Sequence, residues 1–241
     1  MPDSPIIEIT GISKTFIAIP ALKEISFAIA AGESVALLGA NGAGKSTLFN
    51  IVMGFIAPDC GTVKVLGNTK FPYPHSLREE IAIVADHAGP VPWASAVDLA
   101  KLYAAIYRRW DDGLFRSLAD QWAIDVFRRL NALSKGQKRL AELALIAACR
   151  PSVLVLDEPF NELDPVMRVR VQKELRRMQR TDGTTVFYAT HILTEVKAVA
   201  DRIIVLKAGA KVADAVIGEN DGGAEAVFMR HYGLTPAGAV Q

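Results

Sequence analysis

The sequence predicts an α/β fold: a mixed core sheet with flanking helices, an antiparallel β part at the N-terminal end, and a helical insertion. Three observations predict it. Beyond Pro151, short apolar runs alternate with amphipathic helical stretches, as in a parallel sheet covered by helices. Near the other end, the apolar run Ser34-Val35-Ala36-Leu37-Leu38 passes through a glycine-rich turn straight into a helical pattern. Between them, from about Val97 to Ala148, apolar residues recur at helical spacing.

Taken in order, residues 6–9, 25–29, 34–38 and 62–65 read as strands set apart by glycine, proline and aspartate. One helix interrupts them. It opens at Lys45, keeps Leu48, Ile51, Val52 and Phe55 on one face, and stops at Gly54. Residues 81–85 form a strand that enters the insertion. There, Leu99, Leu102, Tyr103, Ile106, Tyr107 and Trp110 make one helical stripe, and Leu114, Phe115, Leu118, Ala119 and Trp122 make another, and the Trp and Tyr side chains of the insertion read as core packing. The alternating part then runs strand 153–156, helix 166–178, strand 185–189, helix 193–200 and strand 202–206. The tail after Ala208 is rich in Gly and Ala and carries little chemistry.

A chain of 241 residues suffices for one large domain or two closely packed ones with a substantial core. The net charge of +1 gives no electrostatic case for wrapping nucleic acid. Although 51% of residues are hydrophobic, no apolar run approaches the span of about 20 residues that crosses a bilayer, and Arg150 interrupts the greasiest. Residues 1–5 lack the basic and apolar regions of a secretion signal, so a cytoplasmic location is expected, with any membrane role exercised through a partner. Cys60 and Cys149 lie far apart without metal-ligand spacing and read as ordinary small residues.

The turn after residues 34–38 is Gly39-Ala40-Asn41-Gly42-Ala43-Gly44-Lys45-Ser46-Thr47, which fills every fixed position of the phosphate-binding loop Gly-x-x-x-x-Gly-Lys-Ser/Thr. Gly39, Gly42 and Gly44 are expected to let the backbone adopt conformations that a side chain forbids, so that consecutive amides converge on phosphate oxygens. Those donors sit at a helix N-terminus, where the dipole favours negative charge. Lys45 reaches the outer phosphates and Ser46 offers its hydroxyl to Mg²⁺. The expected ligand is a nucleoside triphosphate.

Residues 153–156 then deliver Asp157-Glu158-Pro159 at a strand's C-terminal end, where open α/β sheets bind ligands. In phosphate-loop ATPases the first acid helps hold Mg²⁺ and the next orients and deprotonates the attacking water, roles that fall here to Asp157 and Glu158. Some two dozen residues earlier stands Leu133-Ser134-Lys135-Gly136-Gln137. Ser134-x-x-Gln137 before the apolar Leu140, Leu143, Ala144 and Ala147 is a helix capping box. The same five residues resemble the signature motif of the ABC ATPases, where a capped helix start presents amides to the γ-phosphate held by a second subunit.

The chain is similar to that family in order, to about Leu206. The resemblance implies one phosphate-loop domain over residues 1–241: a RecA-like core with its β part over about 5–86 and 150–208, a helical subdomain over about 88–149, and a tail over 209–241. It implies that Phe16 stacks on adenine and that His191 is the switch histidine contacting γ-phosphate and water. It places Asn161-Glu162-Leu163-Asp164 in the loop joining two subunits, with Asp164 at its usual position. Nucleotide contacts are thus expected from Phe16, residues 39–47, Ser134, Gly136, Gln137 and Asp164, and metal contacts from Ser46, Asp157 and Asp86. Catalysis would fall to Glu158, His191 and Lys45.

Two positions depart from the family pattern. Asp86, followed by His87, stands where the family carries glutamine, which puts an anion beside the triphosphate. Glu162 replaces a small residue and adds charge at a crowded interface. Tyr107-Arg108-Arg109-Trp110-Asp111, with Pro92-Trp93 before it, resembles the bacterial branch of single-domain ATPases that pair with separate membrane subunits, often of the multidrug or antibiotic-response kind. The resemblance therefore implies an ATP- and Mg²⁺-dependent ATPase working as a head-to-tail dimer. Lys45, Ser46, Asp157, Glu158 and His191 would come from one protomer, Ser134 and Gly136 from the other, and a membrane permease would dock near Asp86 and Trp93. Its rivals are a soluble ABC ATPase, as in iron-sulfur assembly, and a nucleotide-dependent interaction module with weak hydrolysis.

Overall fold

The computed structural model describes residues 4–84 and 91–217. The chain divides into two compact units, residues 1–73 with 187–241, and residues 74–186.

In the first unit, β1 (Ile7–Phe16), β2 (Ile19–Ile29) and β4 (Cys60–Val65) form an antiparallel sheet in the order β2-β1-β4. Its buried face carries Ile7, Ile9 and Ile12 of β1 and Leu22, Ile25, Phe27 and Ile29 of β2. Both strands run further than residues 6–9 and 25–29. They close into a hairpin in which Phe16 pairs with Ile19 and the two turn residues, Ile17 and Ala18, have φ of 43° and 69°. A two-residue hairpin turn with both φ positive usually recruits Asn or Gly, so this one left no turn signal in the sequence.

β3 (Ser34–Leu38) is buried along its whole length, as befits a strand covered on both faces. It pairs in parallel with β8 (Arg202–Lys207), which turns through Ala208 and Gly209 into antiparallel β9 (Ala210–Val216). β9 occupies the start of the tail in which the sequence showed no element; its residues are only half-buried and their alternation is weak. β7 (Thr185–Thr190), whose residues from Phe187 onward belong to this unit, lies beside β3. The helix α1 (Lys45–Val52) buries Leu48, Phe49, Ile51 and Val52. Phe49 meets Phe187 edge-on with ring centroids 4.8 Å apart, and Phe27 meets Phe187 at 5.8 Å, so one aromatic cluster ties α1, β7 and β2 together. Gly54 does end α1: its φ is 70°, and a Cβ there would stand 2.8 Å from the Tyr73 ring.

In the second unit, β5 (Ile81–Val84) pairs in parallel with β6 (Val153–Asp157). A short helix, α2 (His75–Arg78), precedes β5, beyond the single helix read in that region. The insertion folds as α3 (Ala96–Ile106), α4 (Asp112–Gln121) and α5 (Lys135–Ala148), and α6 (Pro165–Asp182) follows β6. Tyr103, Tyr107, Trp110 and Phe115 pack ring against ring at 5.6 to 6.4 Å, but Leu102 and Ile106 of the first stripe are 49% and 41% exposed, so only part of that stripe is packed. Polar caps fix where each long helix begins: Ser95 with Asp98 for α3, Asp111 for α4, Ser134 with Gln137 for α5, and Asp164 for α6. Arg150 joins the Asp111 cap at 2.7 Å to Asp182 at the far end of α6 at 3.2 Å.

Candidate nucleotide site

The phosphate loop of the first unit leaves β3 at Gly39. This glycine has no positive φ. It is required because a Cβ would lie 2.8 Å from the Leu206 carbonyl of β8 and 3.0 Å from the Ala43 Cβ. Gly39 thus differs from the expectation that all three glycines serve by their backbone conformation. Gly42 and Gly44 do need positive φ, at 79° and 104°. A Cβ on Gly44 would in addition stand 2.6 Å from the Ala21 carbonyl and 2.8 Å from Leu22 Cδ2 of β2. Between them the loop is braced by its own backbone: the Ala43 amide donates to Ala40 O at 3.1 Å, and the Gly209 amide donates to Ala43 O at 3.1 Å. Gly209 in turn accepts from the Lys23 amide at 2.8 Å, so the β8–β9 turn wedges the loop against β2.

Gly44 is the N-cap of α1, and no side chain caps the helix. Its first-turn amides therefore face the loop, the arrangement that binds anions. Lys45 is 7% exposed, with Nζ donating to Gly39 O at 2.8 Å and to Ala40 O at 3.4 Å. Its charge is held inside the loop by those two carbonyls. Ser46 is exposed, Thr47 half-buried, and Ala40 and Asn41 are exposed along the rim.

Phe16, at the end of β1, is 43% exposed, which suits a platform better than core packing. It is tied to the loop through β2: Ile19 pairs with Phe16, and Ala21 two residues on packs on Gly44. His191 is exposed just beyond β7. The buried Thr190 hydroxyl shapes that turn, donating to Glu195 Oε2 at 2.7 Å and accepting from the Ile192 amide at 3.1 Å. Leu206, Gly209, Ala21 and Thr190 carry no phosphate chemistry themselves, and sequence reading passed over them.

In the second unit, Asp157 closes β6 and Glu158 follows it in a left-handed conformation, φ 48°, only 9% exposed. A side-chain-bearing residue there is strained by about 1–2 kcal/mol. Such strain persists only where the surroundings over-determine it, and it clusters at functional positions.

The Ser134 capping box is formed in both directions, Gln137 N to Ser134 Oγ and Ser134 N to Gln137 Oε1, each at 3.2 Å. Gly136 is required by contact, since a Cβ would lie 2.7 Å from Glu162 O. Glu162, at φ 68°, extends its carboxylate to Lys135 Nζ at 2.9 Å. The charge expected to burden the subunit-joining loop is thus met by a cation of the same chain. Asp164 Oδ1 accepts from the Val166 and Met167 amides, both at 2.9 Å, and with Pro165 at the first helical position it starts α6. An open cavity of about 600 Å³ adjoins these residues, lined by Ser134, Gly136, Gln137, Glu162 and Asp164 among others.

Asp86 and His87 lie outside the described residues. Trp93 is 71% exposed. Among the described residues there is no group of three or more His, Cys, Asp or Glu side chains that would cage a metal. Mg²⁺ in a triphosphate site needs none, because one or two protein oxygens and the phosphates hold it. No described helix is long and apolar enough to cross a membrane.

Residues 22–161 match the family model described as ABC transporter. The chain belongs to the ABC transporter family. It is 33% identical over 217 residues to the Nod factor export ATP-binding protein I of Rhizobium johnstonii, covering 88% of this chain and 70% of that one. It is 32% identical over 209 residues to the spermidine/putrescine import ATP-binding protein PotA of Nitratidesulfovibrio vulgaris, covering 85% of this chain but 56% of that longer one. The dimeric post-hydrolysis structure of the ATP-binding cassette MJ0796 with ADP and Pi shares the fold, with a TM-score of 0.78, 24% identity, and 87% of this chain and 98% of that one covered. Within the ABC transporter family, the chain is an ATP-binding subunit and its activity is that of an ATPase.

Proposed function

We propose that this ABC subunit hydrolyses ATP at sites shared between two copies of the chain and so drives a separate membrane permease. The observation that carries the proposal is the phosphate loop: three glycines forced by contact or φ, a buried Lys45, and a helix start left to its amides. The loop amides and Lys45 take the β- and γ-phosphates, and Phe16 takes the adenine ring. The Ser46 hydroxyl and the Asp157 carboxylate are the oxygens that would hold Mg²⁺, which supplies charge neutralisation on the phosphates.

Glu158 orients a water and accepts its proton as the water oxygen bonds to the γ-phosphorus and the bond to the ADP oxygen breaks. His191 holds the γ-phosphate and water in register. Phosphoryl transfer asks little covalent chemistry of the protein, so positioning and charge stabilisation carry the rate. The first turn of α5 at Ser134 and Gly136, open to a cavity in the single chain, supplies those donors to the nucleotide of the other copy. A site assembled in this way closes on ATP and reopens after hydrolysis.

Asp164 is a helix cap in each chain and contributes at the joint by holding its loop. One relative is named for export and another for import, so the cassette by itself does not set direction. Two measurements test the proposal. Specific ATPase activity is expected to rise with protein concentration, and a value independent of concentration, with the chain monomeric throughout, would sink the shared site. The tagged chain drawn from detergent-solubilised native membranes is expected to bring a polytopic membrane protein in stoichiometric amount. Soluble companions alone would move the chain to the non-transport class.

A further inference from the structure

The half-exposed Phe16 ring is backed by an ion pair near the surface. Lys14 Nζ lies 5.5 Å from the centroid of the Phe16 ring and 2.6 Å from Asp59 Oδ1. The other Asp59 oxygen accepts from the Thr15 amide at 2.7 Å, and the Asp59 amide donates to Ser13 O at 2.9 Å. One residue at the foot of β4 therefore grips three consecutive residues of β1, those that lead to Phe16.

The pair stands near the surface, yet the Lys14 side chain is only 17% exposed against 44% for Asp59, so the ammonium is turned inward over the ring. The hydrogen bond from Lys14, with that from the Thr15 amide, holds the pKa of the Asp59 carboxyl below the usual carboxylate range. Surface ion pairs contribute little to stability, which directs attention to where this one puts its cation. A cation over an aromatic face is attracted by the ring quadrupole and fixes the ring.

We propose that Lys14, held by Asp59, is a positioning and specificity residue for the nucleotide base: it sets the Phe16 ring and polarises it to stack on an electron-rich purine. This rests on Phe16 being the base platform. Lys14 acts through Phe16, without touching phosphate.

The test is calorimetric binding of Mg-ATP, Mg-CTP and inorganic tripolyphosphate to the full chain and to Lys14→Met, Lys14→Arg, Asp59→Asn and Phe16→Ala. Tripolyphosphate has no base, so it reports the phosphate loop and the folded state alone. Lys14→Met is expected to weaken ATP by about 2- to 5-fold, the worth of an exposed cation–π contact, to narrow the preference for ATP over CTP, and to leave tripolyphosphate unchanged. Asp59→Asn should move in the same direction by less, and Lys14→Arg should restore most of the preference. If Phe16→Ala weakens ATP while Lys14→Met does not, the role of Lys14 is overturned and the stacking stands. An equal loss for tripolyphosphate in Lys14→Met would place the cation on phosphate and overturn it too. Unchanged ATP affinity in Phe16→Ala would remove the platform and the proposal with it.

Discussion

The two regions to which the proposed mechanism assigns the nucleotide chemistry are held in different ways. Around the phosphate loop, position is set by backbone contact. Gly39 lies against the Leu206 carbonyl, Gly44 against the Ala21 carbonyl, the Ala43 carbonyl takes the Gly209 amide, and Lys45 is buried among loop carbonyls. Around the start of α5 and the loop before α6, position is set by side chains near the surface: the Ser134–Gln137 box, the Lys135–Glu162 pair and the Asp164 cap. Backbone contact tolerates no extra atom and does not respond to salt. Side-chain hydrogen bonds and exposed charges can be exchanged one at a time and weaken with ionic strength. A preformed receptor for phosphate and an adjustable surface for a second chain are what those two constructions suit.

The largest expected effect comes from the strained strand end. Glu158→Gln should keep ATP binding and lose about 10²- to 10⁴-fold in hydrolysis, the usual worth of a general base. Turnover at the wild-type rate in that variant would remove Glu158 from the role. Next comes the loop. Gly44→Ala puts a Cβ 2.6 Å from the Ala21 carbonyl at φ 104°, and urea denaturation should show a loss of about 1–3 kcal/mol together with loss of nucleotide binding. A variant as stable as wild type would show that the contact yields.

The second region should respond more mildly. Ser134→Ala removes one cap and should cost about 0.5–2 kcal/mol by the same denaturation measurement. It should lower ATPase activity while leaving ATP affinity of the single chain intact, and a loss of affinity there would blur the contrast between the regions. Smallest of all, Lys135→Met and Glu162→Gln should each change stability by less than about 1 kcal/mol, and exchanging the two charges should restore most of it. That dependence should fade at high salt. An effect that persists undiminished in molar salt would mean that the pair is more than a surface contact.

What the sequence made legible follows the same division. The loop at residues 39–47, the acids after β6 and the box at Ser134 are strings of special residue types at fixed spacing, so they could be read in one dimension. The alternating strands and helices beyond Pro151 were legible because their apolar period is strong. Gly39 shows the boundary: its identity was recognised, but its reason, contact with Leu206 of β8 far along the chain, required the fold. The β1–β2 hairpin was hidden because Ile17 and Ala18 occupy a turn that usually announces itself with Asn or Gly. β9 was hidden by the faint alternation of a half-buried strand. Glu162 looked like an unbalanced charge because its partner, Lys135, lies 27 residues away in sequence and 2.9 Å away in space.

In the proposed mechanism the two regions complete one another between chains. This is tested most directly by mixing two inactive variants, Lys45→Ala, which lacks the phosphate-loop cation, and Ser134→Arg, which blocks the α5 start. Each alone should hydrolyse ATP weakly. In the mixed dimer, the intact phosphate loop of one chain faces the intact α5 start of the other, so the mixture is predicted to regain activity well above the sum of its parts. Activity no greater than that sum, with mixed dimers present by native mass spectrometry, would contradict a site shared between two copies.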